Sequence, residues 1–203
     1  MSRIPPGILR EAVIDTSAIT ANVRQLRRLT ASEIIAVVKD DGYGHGAVRS
    51  ARAALEGGAT RLGVSDIDEA LALRRAGIDA PILAWLHAPG ADFAAAAARG
   101  IELGISSVDQ LQAASAAASA GRPVSVHLKV ETGLGRNGLA PADYAVAFAE
   151  AARLERIGRL RVTGIFSHLS NTSTADDLAA VARFRDALGL AASHALAPHL
   201  RHI

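Results

Sequence analysis

Of the 22 basic residues in this 203-residue chain, 20 are arginine and only two, Lys39 and Lys129, are lysine. Surface ion pairing does not need lysine, because arginine serves there as well or better. Lysine is needed where an amine must lose its proton, as in Schiff-base chemistry or carbamylation. A guanidinium, protonated until about pH 12, can do neither. Both lysines are therefore candidate functional residues before any motif is read; the alternative is that two survive by drift.

Lys39 ends an apolar run, Ala36-Val37-Val38, and is followed by Asp40-Asp41-Gly42-Tyr43-Gly44-His45-Gly46. A lysine above an apolar strand is partly desolvated, which favours the neutral amine. Three glycines in five residues let backbone come close to a ligand. Tyr43 is placed to hydrogen-bond a phosphate or carboxylate. His45 reads as a helix-start residue, with a supporting donor role as the alternative. A lysine that merely snorkels from a strand end is the bland reading of Lys39.

Lys129 lies in a second strand-then-glycine segment, Val126-His127-Leu128-Lys129-Val130-Glu131-Thr132-Gly133-Leu134-Gly135-Arg136-Asn137-Gly138. Arg136, between glycines, suits bidentate binding of a carboxylate, or else caps its own turn. A third segment, Thr163-Gly164-Ile165-Phe166-Ser167-His168, puts a histidine at a strand end, where core and site roles are both open. Trp85 ends another strand-like run and Val37 points to the same edge; each is a candidate ligand wall or plain core. The seven histidines are scattered, and Asp40, Asp41 and His45 lack a ligand spacing, so no metal is expected.

The elements that must position these residues alternate. Strand-like runs fall at Glu33–Val38, Arg61–Ser65, Pro81–Trp85, Ile101–Ile105, Pro123–Val130, Leu160–Phe166 and His199–Ile203. Helix-like runs fall at 46–56, 67–76, 90–98, 107–119, 141–156 and 176–195, and an earlier unit pairs a strand at Ala12–Asp15 with a helix over 17–29 capped by Asp15 or Thr16. Such alternation implies a parallel sheet covered by helices, either an open doubly wound sheet or a closed (β/α)8 TIM-type barrel. No G-x-G-x-x-G stands at the first strand–helix turn, which weakens the dinucleotide version. Seven strands follow the first helix where a barrel needs eight, and the seventh runs off the end of the chain. The expectation is an α/β barrel lacking its last strand–helix unit, filling 1–203 as one partial domain, with the run near 11–15 a candidate for a second domain.

Composition narrows the class. Cysteine is absent, which rules out thiolate sites and disulfide scaffolds. The chain holds 44 alanines and only 3% aromatic residues, which favours helices and argues against a base-stacking platform. Net charge is +2, the arginines are interleaved with acids, and no basic run suggests nucleic acid or a membrane surface. The N-terminus lacks the apolar core of a signal peptide and no apolar run reaches about 18 residues, so the expectation is a soluble, cytoplasmic protein.

The Lys39 segment resembles the pyridoxal-phosphate motif of alanine racemases, close to AVVK, three small or polar residues, then YGHG. The resemblance implies that Lys39 forms the internal aldimine and that Tyr43 binds the cofactor phosphate. Asp40-Asp41-Gly42 departs from the family's commonest insert. The second segment is similar to K-V-D-T-G-M-G-R-x-G, with Glu131 where Asp is usual. Here the resemblance implies that Arg136 contacts the cofactor's phenolic oxygen and the substrate carboxylate region, and that Lys129, once carbamylated, holds Arg136. An unmodified Lys129 beside Arg136 would repel it, which gives the modification an electrostatic reason. Thr163–His168 resembles G-[IL]-[FM]-[ST]-H, implying that His168 packs beside the cofactor ring. Val37 and Trp85 fall where family members place apolar residues against the cofactor. Asn171-Thr172-Ser173-Thr174 departs from family spacing and supports no assignment.

The implied activity is interconversion of L- and D-alanine by a homodimeric, pyridoxal-phosphate-dependent isomerase that supplies D-alanine for peptidoglycan. Lys39 would be the base for one face of the substrate. The second base, a tyrosine on a β-domain of the partner subunit, lies outside this sequence, and the 203 residues alone are expected to be inactive. The alternative is a single-domain pyridoxal-phosphate binding protein of the same barrel type, whose lysine strand usually reads AVSK without YGHG; Tyr43-Gly44-His45-Gly46 speaks against it.

Overall fold

A computed structural model describes residue 7 and residues 9–203. The N-terminal stretch read as lacking a leader falls partly on residues 1–6 and 8, outside the described residues. Seven strands form one sheet in strictly sequential order: β1 (Ile35–Val37), β2 (Arg61–Val64), β3 (Ile82–Ala84), β4 (Glu102–Ile105), β5 (Val124–Lys129), β6 (Leu160–Phe166) and β7 (Leu200–His202). Every pairing between neighbours is parallel. Helices connect them: α1 (Thr16–Leu29), a short turn α2 (Lys39–Tyr43), α3 (Ala47–Glu56), α4 (Ile67–Arg75), α5 (Phe93–Ala98), α6 (Val108–Ala116), α7 (Tyr144–Arg156) and α8 (Thr174–Ser193). Among the described residues no helix is long and apolar enough to cross a membrane.

The helix starts follow capping chemistry. Asp15, Asp66, Asp92, Ser107 and Ser173 each accept a backbone N–H from the first turn of α1, α4, α5, α6 and α8. No strand forms at Ala12–Asp15, contrary to the sequence expectation. That stretch has no neighbour to pair with, and Val13 is 72% exposed.

Alternation along the strands sorts the side chains into two layers. Val38, Leu62, Val64, Ile82, Ala84, Leu103, Ile105, Val126, Leu128 and Ile165 pack with the helices in the main core. The intervening residues, among them Val37, Gly63, Trp85, Gly104, His127, Lys129 and Phe166, face the other way. On that face, side chains reach across an intervening strand. Arg61 of β2 donates to Glu102 of β4 at 2.7 Å, and His127 of β5 meets His202 of β7 at 3.0 Å. Such reach requires a sheet curled into a partial barrel with these residues on its concave side. Glycines make the room: a Cβ on Gly164 would stand 2.3 Å from the His127 ring, and one on Gly63 2.2 Å from the Trp85 indole.

Charge inside the barrel is matched. The Glu102 carboxyl is pushed up by burial, but hydrogen bonds and charge from His127 and Arg61 more than offset this and hold it below its ordinary value. Burial, and then the neighbouring His127 and Arg61, push His202 down to about 3, so its ring is neutral. His202 stacks on Phe166 at 4.9 Å, with the two planes 5° apart.

Candidate active site

The C-terminal ends of β1, β3, β5 and β6 carry the residues that the sequence singled out. In barrels this edge is where active sites form. Beyond β1, the chain does something rare. Asp40, Asp41, Gly42 and Tyr43 all take positive φ, 52°, 53°, 63° and 55°, so α2 is a turn wound in the left-handed sense. Three of the four carry a Cβ, and each such residue costs roughly 1–2 kcal/mol. Aspartate and glycine tolerate this region best, which gives the Asp40-Asp41-Gly42 insert a physical reason. Gly42 is also pressed close to α3, since a Cβ there would lie 2.9 Å from Ser50 Oγ.

Hydrogen bonds hold the turn. Gly42 N–H donates to Val38 at 2.9 Å, Gly44 N–H to Asp40 at 3.1 Å and Gly46 N–H to Asp41 at 2.7 Å. The Asp41 carboxylate accepts the Ala47 N–H at 2.8 Å, so it caps the start of α3. His45 therefore is not the helix-start residue expected from the sequence; it is exposed and precedes Gly46, the N-cap position. From this turn the half-buried Lys39 places its Nζ 5.9 Å from the centre of the Tyr43 ring, and Tyr43 is 59% exposed.

Lys129, the last residue of β5, is treated differently. It is only 4% exposed, its Nζ donates to Asn137 Oδ1, and it stands 5.9 Å from the centre of the Phe166 ring. Burial pushes the Lys129 amine down to about 8, and the Arg136 charge pushes the same way; Glu131 opposes both. Asn137 was not singled out by the sequence, although its place one residue after Arg136 in a loop returning to β5 was a usable signal.

That loop is closed on itself: Leu139 N–H donates to Lys129 at 2.8 Å and Glu131 N–H to Leu139 at 3.0 Å. The Glu131 carboxylate accepts the Gly133 N–H, and Arg183 of α8 donates to the Thr132 carbonyl at 2.6 Å. The turn is thus capped by Glu131, not by Arg136. Burial raises the Glu131 carboxyl, but backbone N–H groups of the loop and the Lys129 charge lower it by more. Arg136 is exposed, and among the described residues its guanidinium makes no hydrogen bond or ion pair.

His168, two residues past β6, has its proton affinity lowered first by burial and then by the charges of Arg136, Lys129 and Lys39. Four basic groups from three parts of the chain therefore converge on one mouth. Beside them, Trp85 lies half-buried over Gly63, and Val37, paired with Gly63, is 38% exposed. The arrangement offers an anion-attracting rim, an apolar wall, one reachable primary amine and one buried one.

Comparison with known proteins bears on what this arrangement serves. The family described as "Alanine racemase, N-terminal domain" matches residues 14–203. The alanine racemase of Thermobifida fusca is 49% identical over 198 residues, covering 95% of this chain and 53% of that protein. The one from Mycolicibacterium smegmatis is 53% identical over 169 residues, covering 81% of this chain and 43% of that protein. The crystal structure of alanine racemase from D-cycloserine-producing Streptomyces lavendulae superposes with a TM-score of 0.90 at 42% identity, over 94% of this chain and 51% of that one. The chain spans about half the length of the curated relatives it matches.

Proposed function

The chain belongs to the alanine racemase family through its N-terminal domain, and from that premise we propose that it is the cofactor-bearing part of a pyridoxal-phosphate-dependent isomerase that interconverts L- and D-alanine. The observation that carries the reading is the convergence of Lys39, Lys129, Arg136 and His168 on one mouth with an apolar wall at Trp85 and Val37. A phosphorylated aromatic aldehyde and an amino-acid carboxylate are both anions with needs of this kind. The residues present fit the group: Lys39 would hold its aldehyde carbon, Tyr43 its phosphate, and Val37, Trp85 and His168 would lie against its ring. Bound there, pyridoxal phosphate supplies an electron sink that makes a proton on the substrate's α-carbon removable.

This chain's own residues do the rest. Arg136, with five donors and no hydrogen-bond partner among the described residues, orients the substrate carboxylate or the cofactor's phenolic oxygen. Lys39 moves the proton on one face of the α-carbon. Lys129 is the modified lysine. With its amine pushed to about 8, a substantial neutral fraction exists near physiological pH. The nitrogen lone pair attacks the carbon of CO2, an N–C bond forms, a proton leaves to solvent, and the resulting carbamate anion attracts Arg136 where an ammonium would repel it. In fold, the seven strands are read as seven of the eight in a (β/α)8 barrel. Homodimerisation, a cytoplasmic location and delivery of D-alanine to the cell wall rest on the family resemblance.

The test uses the full-length protein. Loaded with pyridoxal phosphate, it should convert either alanine enantiomer to a mixture near equal parts, followed by chiral chromatography. Cofactor bound through Lys39 without any interconversion would instead favour the binding-protein alternative.

A further inference from the structure

The turn that carries Lys39 is held in a disfavoured backbone conformation by a carboxylate from another element. Glu69, in the first turn of α4, accepts the Asp40 N–H at 2.6 Å through one oxygen and the Ser65 N–H at 2.8 Å through the other. Asp40 N–H is the first amide after Lys39, and Ser65 is the first residue past β2. Glu69 is itself fixed, since its own N–H donates to the Asp66 cap at 3.0 Å. The other bonds that hold the turn lie within residues 38–47, from the end of β1 to the start of α3. Val38, just before the turn, donates its N–H to Gly63 of β2 at 2.9 Å; among the described residues Glu69 is the one side chain that ties the turn itself to a neighbouring strand end.

We propose that Glu69 is a positioning residue for Lys39: its carboxylate clamps the start of the left-handed turn to the end of β2 and so sets where the Lys39 amine stands. The proposal rests on the reading of Lys39 as the cofactor lysine. The left-handed turn runs uphill at Asp40, Asp41 and Tyr43, which carry a Cβ at positive φ. Freed at Asp40, the peptide joining Lys39 to the turn can rotate towards ordinary backbone angles, and the lysine rotates with it. A carboxylate suits the task because it has only acceptors, one for each of two N–H groups pointing at it. An amide has one acceptor, and its NH2 would face the second N–H.

Full-length protein with Glu69→Gln, alone and combined with Asp40→Gly, tests this. Stopped-flow mixing with pyridoxal phosphate reads the growth of lysine-bound cofactor absorbance; amide hydrogen exchange reads Asp40 and Ser65 directly. Glu69→Gln should slow that growth about ten- to a hundredfold, the loss expected for one hydrogen bond to a charged group, and should speed exchange at Asp40 or Ser65. Adding Asp40→Gly should restore most of the rate, because glycine takes positive φ without a Cβ cost. A purely structural role for Glu69 would not be rescued by a second change in the turn. Growth at the unmodified protein's rate in Glu69→Gln, or no rescue by Asp40→Gly, overturns the proposal. If the unmodified protein gives no such absorbance, the cofactor reading fails instead. The clamp is then decided by exchange alone, faster in Glu69→Gln if it exists and unchanged if it does not.

Discussion

Lys39 and Lys129 close two strands of the same sheet at the same edge, yet their surroundings are opposite in kind. Lys39 leaves its strand on a left-handed turn, half-buried, with the ring of an exposed tyrosine 5.9 Å from its amine. Lys129 stays in its strand, 4% exposed, bonded to Asn137 and pressed by a nearby arginine. In the first region backbone energy is spent to aim a reachable amine. In the second, burial and a neighbouring charge loosen the proton of a buried one. A lone composition count makes the two lysines look alike, and the structure separates a half-buried lysine on a left-handed turn from a buried lysine held within its strand.

The largest break in this contrast should come from Lys39→Arg in the full-length protein. Racemisation should fall by at least about 10²–10⁴-fold, the range for loss of a positioned acid–base group, and the lysine-bound cofactor absorbance should vanish. An unchanged spectrum would remove Lys39 from the site.

Second in size is a pH effect confined to Lys129. In protein kept free of CO2, so that Lys129 carries its free amine, the unfolded chain keeps this proton up to about 10.5, whereas the folded protein releases it near 8. Between those values the unfolded state binds more protons, so unfolding free energy should climb with pH across that window, by on the order of 3 kcal/mol in total. Lys129→Met should lack that climb, as followed by urea denaturation at a series of pH values; an identical climb in Lys129→Met would assign it elsewhere.

Packing behind the two regions gives a smaller effect. Gly63→Ala would drive a methyl into the Trp85 indole beneath the Lys39 side of the mouth. The expected loss is about 1–3 kcal/mol of stability, with the tryptophan emission shifted as the ring moves. Gly77→Ala, where nothing lies within 4 Å of an added Cβ, serves as the contrasting site, its cost confined to the positive φ.

The smallest change should follow Arg136→Gln. With the Arg136 charge gone, the Lys129 proton is held more firmly, and the pH window of its release moves upward. The stability difference should stay near 0.2–1 kcal/mol, because Arg136 is exposed. A downward move would contradict the assigned cause.

Most of the strand and helix order was legible in the sequence, because short β-branched or aliphatic runs alternate with alanine-, leucine- and arginine-containing stretches of helical spacing. Each of the seven strand-like runs contains a strand; Leu160–Phe166 keeps both bounds and the other six are trimmed at one or both ends. Ala12–Asp15 forms no strand with the described residues, because none of them stands beside it to pair, and local pattern cannot show where a partner lies. The two lysines stood out as candidates in the sequence because amine chemistry excludes arginine. What holds them was not. Glu69 lies 29 residues from Asp40, and Glu102 lies 41 residues from Arg61. Both contacts follow from parallel pairing and curvature, neither of which has a local signature. The left-handed turn was half-visible, since Asp-Asp-Gly permits positive φ without requiring it.

Reductive trapping tests the central contrast most directly. Borohydride treatment of the full-length protein loaded with pyridoxal phosphate, followed by peptide mapping, should place the pyridoxyl label on Lys39 and leave Lys129 unlabelled. Label on Lys129, or on neither lysine, would contradict the account.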